Sequence, residues 1–179
     1  MIAAIDNTIL TLLINPSAKA ASDPKTNLPT PDIKLKLLSM LDDLSASNAR
    51  LIVPTPAIGE ALCVATPANE ILDKLNSFTC IDPQAFGMRA AMEMADVVKA
   101  NRTGIKKIQA DATRPWQHVK MDLMIVGVAI ASKATRIYSD DRSQSRFAEL
   151  AGLEVVHSWD LQITGKYRQK NFFEGDSDE

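Results

Sequence analysis

Acidic side chains recur along this chain where strands are expected to end and helices to begin. Asp6 closes the apolar run Ile2-Ala3-Ala4-Ile5, Glu60 and Asp122 stand early in stretches of helical spacing, and Asp140-Asp141 follows the run Arg136-Ile137-Tyr138. Ionised carboxylates offer only oxygen acceptors, so acids gathered from remote parts of a chain suit one metal-binding pocket. Whether they can meet depends on the elements that carry them.

Ile2-Ala3-Ala4-Ile5 stops at Asp6, Leu51-Ile52-Val53 stops at Pro54, and Arg136-Ile137-Tyr138 stops at Ser139. Each has the length and composition of a buried parallel strand. Segments of helical spacing separate them, and this alternation predicts an α/β domain with a central parallel sheet. Ligands of open α/β sheets settle outside the carboxyl ends of the strands, where Asp6 and Asp140-Asp141 fall. Thr55-Pro56 has the form of a helix cap followed by proline, which places Glu60 in about the second turn of the helix after the second strand. Asp122 precedes the run Leu123 to Ala131, apolar on nearly every side. That run predicts a central helix with Asp122 near its start, where the helix dipole favours an ionised carboxylate.

On these residues the chain resembles the PIN-domain nucleases, a family that includes many toxins of bacterial toxin-antitoxin pairs. The matching pieces are Ile5-Asp6-Asn7-Thr8-Ile9-Leu10, Pro56-Ala57-Ile58-Gly59-Glu60-Ala61, Met121 to Ile130 around Asp122, and Ile137-Tyr138-Ser139-Asp140-Asp141-Arg142. They stand in the family's order and span roughly Met1 to Trp159. The resemblance implies a PIN-like α/β/α domain and a metal-dependent endoribonuclease that hydrolyses RNA phosphodiester bonds with Mg²⁺ or Mn²⁺. It implies Asp6, Asp122 and Asp141 as principal ligands, with Glu60 as ligand or water-positioning group. Asp140 and Asp141 each suit the fourth place; Asp141 is favoured because the family's motif carries Thr or Ser two residues before its acid, and Ser139 stands there. Thr8, Ser139, Lys120, Arg142, Lys106 and Lys107 are the side chains expected to contact substrate. An antitoxin and a second copy of the chain are the protein partners to expect.

Hard cations prefer oxygen ligands, and several carboxylates hold them while leaving positions for water and phosphate. Without a cation such acids repel one another, so at least one should hold a proton near neutral pH, and metal should stabilise the fold. Each acid also has a plainer reading. Asp6 suits a helix cap on Thr8 or Ile9, Glu60 a solvated helical position, Asp122 an answer to the helix dipole, and Asp140-Asp141 a turn. A second class of function is a PIN-like module that binds RNA or protein without cutting. A haloacid-dehalogenase-like phosphatase fits less well, because it needs a second Asp two residues after the first, where this chain has Thr8.

With 179 residues, 46% of them hydrophobic, the chain has the size of one domain. The longest apolar run, Leu123 to Ala131, is about half of the ~20 residues a membrane span needs, and there is no export signal, so a cytoplasmic protein with no membrane partner is expected. Cys63 and Cys80 lack metal-site spacing and are expected to be reduced and buried. The formal net charge of −2 conceals a basic stretch, Lys99, Arg102, Lys106, Lys107, Arg114 and Lys120, that contains one acid, Asp111. Such a patch suits phosphates or a solvated helix face. Arg142 and Arg146 form a second candidate. Trp116 and Tyr138 suit base stacking or packing. His118 and His157 lack ligand spacing; His118, four residues before Asp122, suits a contact to substrate or, more plainly, a surface role.

The domain is expected to span residues 1–161, with a proline-rich loop over residues 15–32 that can flank or occlude the pocket, and a polar, acidic tail over 162–179. Thr66-Pro67 and Asp82-Pro83 both read as capped helix starts, the latter helix ending at Gly104 with an apolar stripe of Ala85, Met88, Met92, Ala95 and Val98. Gly152 is expected to close a helix from Arg142, ahead of a last strand at Glu154-Val155-Val156.

Overall fold

The most apolar short runs of the chain become the middle of its sheet. In the computed structural model, which describes residues 1–15, 17–64, 68–113, 115–165 and 167 except for the side chains at 64, 68 and 70, five parallel strands form one sheet. They are β1 (Ile2–Ile5), β2 (Arg50–Pro54), β3 (Ile81–Gln84), β4 (Arg136–Tyr138) and β5 (Glu154–Val156), in the order β3-β2-β1-β4-β5. Ala3, Ala4 and Ile5 of β1 and Leu51, Ile52 and Val53 of β2 have no solvent exposure. Strands covered by helices on both faces read as continuous apolar runs, which is why these were legible.

The helices are α1 (Asn7–Ile14), α2 (Ile33–Ala46), α3 (Thr55–Val64), α4 (Ala68–Asn76), α5 (Met88–Ala100), α6 (Arg102–Asp111), α7 (Trp116–Ala131) and α8 (Arg142–Leu150), followed by a 3₁₀ turn at Ser158–Asp160. Right-handed crossovers put the connections of β1, β2 and β3 on one face and those of β3, β4 and β5 on the other. The result is the expected PIN-like α/β/α arrangement with an all-parallel sheet. The chain winds outward from β1 to β2 and β3, then returns to lay β4 on the other side of β1. The carboxyl ends of β1 and β4 therefore flank the point where the winding reverses, the usual crevice for a ligand in such sheets.

Several expectations need correction. Asp82-Pro83 starts no helix: both residues lie in β3, where Ile52 pairs with Asp82 and Val53 with Pro83. Proline has no N–H to donate, and β3 is an edge strand, where that loss is tolerated. The helix starts at Met88 instead, and its buried side is Ala90, with Met94, Val97 and Val98 packed on the core, while Met88 and Met92 are exposed. Gly104 lies inside α6 rather than ending a helix. α7 begins at Trp116, six residues before Asp122, because Trp116 to Met121 is a mixed polar turn anchored by the fully buried Val119.

Cys80 is buried but Cys63 is exposed. It stands two residues past the buried Ala61, about 200° further round α3. Gly152, at φ +77°, closes α8: Gly152 N–H donates to Glu149 O and Leu153 N–H to Ala148 O. Residues 21–30 fold on themselves through a Ser22–Pro29 bridge and a Thr30 hydroxyl on Ala21 O. Thr164 is tied to α2, its N–H donating to Ser39 Oγ (2.6 Å) and its hydroxyl to Asp43 Oδ2 (2.7 Å), so ordered contacts continue past Leu161. Arg114, Thr66-Pro67 and the acidic residues 174–179 lie outside the described residues.

Candidate active site

Asp6 follows the last residue of β1 and caps α1, so its side chain is placed by two elements at once. Its Oδ1 accepts from the Ile9 N–H (3.1 Å) and the Thr8 hydroxyl (2.7 Å), and its Oδ2 accepts from the Ser139 hydroxyl (2.5 Å). Ser139 follows β4 and is fully buried; its oxygen also accepts from Asp141 N–H (3.2 Å). Thr8 Oγ1 in turn accepts from Asp140 N–H (2.9 Å). Two hydroxyls thus sew the end of β1 to the loop after β4.

The two acids of that loop diverge. Asp141 caps α8, its Oδ1 accepting from Ser143 N–H (2.7 Å) and Gln144 N–H (2.8 Å). Asp140 turns toward the 3₁₀ segment, where Ser158 donates its N–H to Oδ1 (2.8 Å) and its hydroxyl to Oδ2 (2.6 Å). A nearby latch, His157 Nδ1–H on Ser139 O (2.6 Å) with the His157 ring stacked on Trp159, holds the same loop from the other side.

Asp6, Glu60, Asp122 and Asp141 line one cavity of about 250 Å³, together with Asn7 and Thr8. His118, Ile125 and Gln144 complete its wall. Glu60 comes from the second turn of α3 and Asp122 from the second turn of α7, so four acids from four separate parts of the chain face one space at the carboxyl edge of the sheet. Asp140 does not line it, and neither does any residue described in the 15–32 loop. Lys106, Lys107, Lys120 and Arg142 are exposed and stand outside the cavity wall. Lys99 pairs with Asp96, and Arg146 pairs with Asp111 (3.0 Å), which ties α8 to α6.

Burial pushes the Asp6 carboxyl from an ordinary 3.8 up to about 6, against the hydrogen bonds from Ser139, Thr8 and Ile9 that pull it down; the Asp140 charge adds a further push. An acid at this value gives up its proton close to neutral pH, where a cation can take the proton's place.

The donor chemistry of the cavity fits a hard divalent cation. Among the described residues, no three His, Cys, Asp or Glu side chains converge closely enough to form a ready chelate. Mg²⁺ keeps several of its waters and takes one or two carboxylates plus substrate phosphates, so it does not require a closed cage of protein ligands.

In fold, the chain is similar to VapBC2. The solved structure of VapBC2 from Rickettsia felis bound to a DNA fragment from their promoter aligns with a TM-score of 0.56 and 17% identity, covering 88% of this chain and 98% of that chain. No protein-family model and no curated protein matches the sequence. At this identity the alignment speaks to architecture alone.

His118, which precedes Asp122 by one helical turn, stands in the wall as its spacing suggests. Two further polar wall residues, Asn7 and Gln144, are not singled out for the site by the sequence pattern: Asn7 adjoins Asp6, and Gln144 follows Asp141 by one turn. Turn spacing from an acid is the signal that would have found Gln144. Gln144 is 1% exposed, and among the described residues neither Nε2 nor Oε1 of its amide has a hydrogen-bond partner. Such a group costs about 1–3 kcal/mol unless something satisfies it.

The split between the two adjacent acids is testable. Asp140→Ala should lower stability by about 1–3 kcal/mol, because the Ser158 N–H and hydroxyl lose their acceptor, and should leave chemistry in the cavity nearly intact. Asp141→Ala should impair both the α8 cap and the chemistry. Thermal melts alongside an RNA cleavage assay check this; equal loss of cleavage in both variants would contradict the assignment.

Proposed function

We propose that this chain is a metal-dependent endoribonuclease that hydrolyses RNA phosphodiester bonds. The observation that carries the proposal is the meeting of Asp6, Glu60, Asp122 and Asp141 around one cavity at the switch point of a parallel sheet. The resemblance of the same residues to PIN-domain motifs and the shared architecture with VapBC2 support it.

In this reading Asp6, Asp122 and Asp141 hold Mg²⁺ or Mn²⁺, and Glu60 holds the ion or positions water. When bound, the cation helps deprotonate the attacking water and neutralises charge on the phosphate oxygens. The protein's own contribution is placement. Ser139 and Thr8 fix the Asp6 carboxylate by hydrogen bonds, and the α8 cap fixes Asp141. His118 is exposed and lines the cavity one turn before Asp122, placed to meet an RNA strand. Lys120 and Arg142, exposed on the neighbouring helix surfaces, and Lys106 and Lys107 on α6 supply phosphate contacts outside the wall.

The likeness to VapBC2 supports a toxin setting with an antitoxin partner. A cytoplasmic location and a homodimer belong to the same reading. Among the described residues no helix is long and apolar enough to cross a membrane.

Purified protein should cut generic single-stranded RNA in Mg²⁺ or Mn²⁺, lose that activity in EDTA and regain it when Mn²⁺ is restored. Asp122→Asn should cut at least ~10²-fold more slowly. A second reading is a module that binds RNA or protein without turnover, which the lack of a ready three-residue chelate among the described residues leaves open. RNA binding with no cutting in any divalent cation would select it.

A further inference from the structure

Resting on that reading of the cavity, we propose that Gln144 is a substrate-binding residue, its Nε2–H donating to a nonbridging oxygen of the RNA phosphodiester and its Oε1 accepting from an adjacent ribose hydroxyl.

The wall of the cavity is chemically one-sided. Ionised carboxylates accept hydrogen bonds and donate none, and a phosphodiester oxygen likewise only accepts. A phosphate entering among four acids therefore needs donors as well as a cation. Among the polar side chains of the wall, Thr8 has its hydroxyl engaged, while Asn7 and the exposed His118 also offer donors. The Thr8 hydroxyl donates to Asp6 and accepts from Asp140 N–H, and Asn7 Oδ1 accepts from the Thr11 hydroxyl. Gln144 differs in being buried: its backbone N–H is spent on the Asp141 cap, and among the described residues its side-chain amide has no hydrogen-bond partner at either end, although the residue lines the cavity.

A carboxamide suits this place for two reasons. It is neutral, so it neither competes with the acids for a cation nor adds to their repulsion. It is also a donor and an acceptor side by side, which matches a phosphate oxygen next to a 2′-hydroxyl, the group that distinguishes RNA from DNA. Packing alone would favour an apolar side chain here, since α8 buries Phe147 and Ala148 in its next turn.

The test compares wild type with Gln144→Leu, Gln144→Met and Gln144→Glu. Affinity for a short single-stranded RNA is measured in Ca²⁺, cleavage in Mg²⁺, Mn²⁺ affinity without RNA, and melting temperature. Gln144→Leu and Gln144→Met should melt at or above the wild-type temperature, because an unpaired buried amide is gone, and should bind Mn²⁺ unchanged. Their RNA affinity should fall ~10-fold or more, the worth of a hydrogen bond to a charged group. Gln144→Glu, which sets a carboxylate against the phosphate, should bind RNA more weakly still. RNA affinity equal to wild type in both apolar variants overturns the proposal, as does equal loss of affinity for RNA and for Mn²⁺. If wild type binds RNA without cutting it, the nuclease reading alone fails and the affinity comparison still decides Gln144. If wild type binds no RNA, both fall.

Discussion

Replacing Asp6 by asparagine should extinguish RNA cleavage and, at neutral pH, make the protein harder to melt. Asp6 is 2% exposed, and burial raises its carboxyl to about 6. In the unfolded chain the same group titrates near its ordinary 3.8. Between these values the unfolded chain has released a proton that the folded chain still holds, so stability falls as pH rises from about 4 to about 6 and stays lowered above that. At ~1.36 kcal/mol per pH unit the penalty is about 3 kcal/mol.

Asparagine cannot ionise, so it escapes that penalty. It keeps an Oδ1 for the Ile9 N–H and the Thr8 hydroxyl, and its NH₂ can donate to Ser139 Oγ once that hydroxyl turns. The variant should gain about 1–3 kcal/mol at pH 7.5, or roughly 2–10 °C in Tm for a chain of this size, and should melt like wild type near pH 4. Cleavage should fall by at least ~10²–10³-fold, because a neutral amide is a poorer cation ligand than a carboxylate. Melts at pH 4 and 7.5, with and without Mn²⁺, check the stability claim, and wild type alone should gain from Mn²⁺ near neutrality. A variant that melts lower than wild type at pH 7.5 would show that the ionised carboxylate stabilises the fold, contrary to the argument.

Gly127→Ala should destabilise the protein even though alanine is the better helix former. Gly127 is buried in α7, and a Cβ placed there would stand 2.6 Å from Ala90 O and 3.0 Å from Met94 Cβ, both on α5. In an open helix the substitution would gain about 1 kcal/mol. Here the backbone of α5 is the obstacle, and forcing two packed helices apart costs typically 1–3 kcal/mol, occasionally more. Because a backbone oxygen is what the Cβ meets, the cost lies toward the upper part of that range and wins, with a net loss of up to about 2 kcal/mol for alanine and a larger loss for Gly127→Val. Thermal melting reads the outcome directly. A higher Tm for Gly127→Ala would mean that propensity decides and that α5 yields easily.

Both predictions concern contacts at different depths of legibility. Strands β1, β2 and β4 were readable because a strand buried on both faces is an uninterrupted apolar run, and the acids that follow β1 and β4 inherit their place from that. The cap role of Asp6 was readable too, since capping joins residues two or three apart. β3 was not, because its Pro83 mimics a helix start and only the pairing with β2 makes it an edge strand. The beginning of α7 was missed because its first turn is polar outside and held by Val119 alone.

Residue order and local pattern were enough to establish a parallel α/β domain and to name the acids that reach its carboxyl edge. Those features depend on neighbours a few positions away, through strand length, helix period and caps. Only the folded chain decided that Asp141 faces the cavity while Asp140 turns to Ser158, that His118 and Gln144 join the wall, and that Gly127 carries the α5 contact. Side-chain direction at such positions is set by elements that meet across a hundred residues or more of chain in the case of Asp6 and Ser139, and no local pattern encodes that meeting.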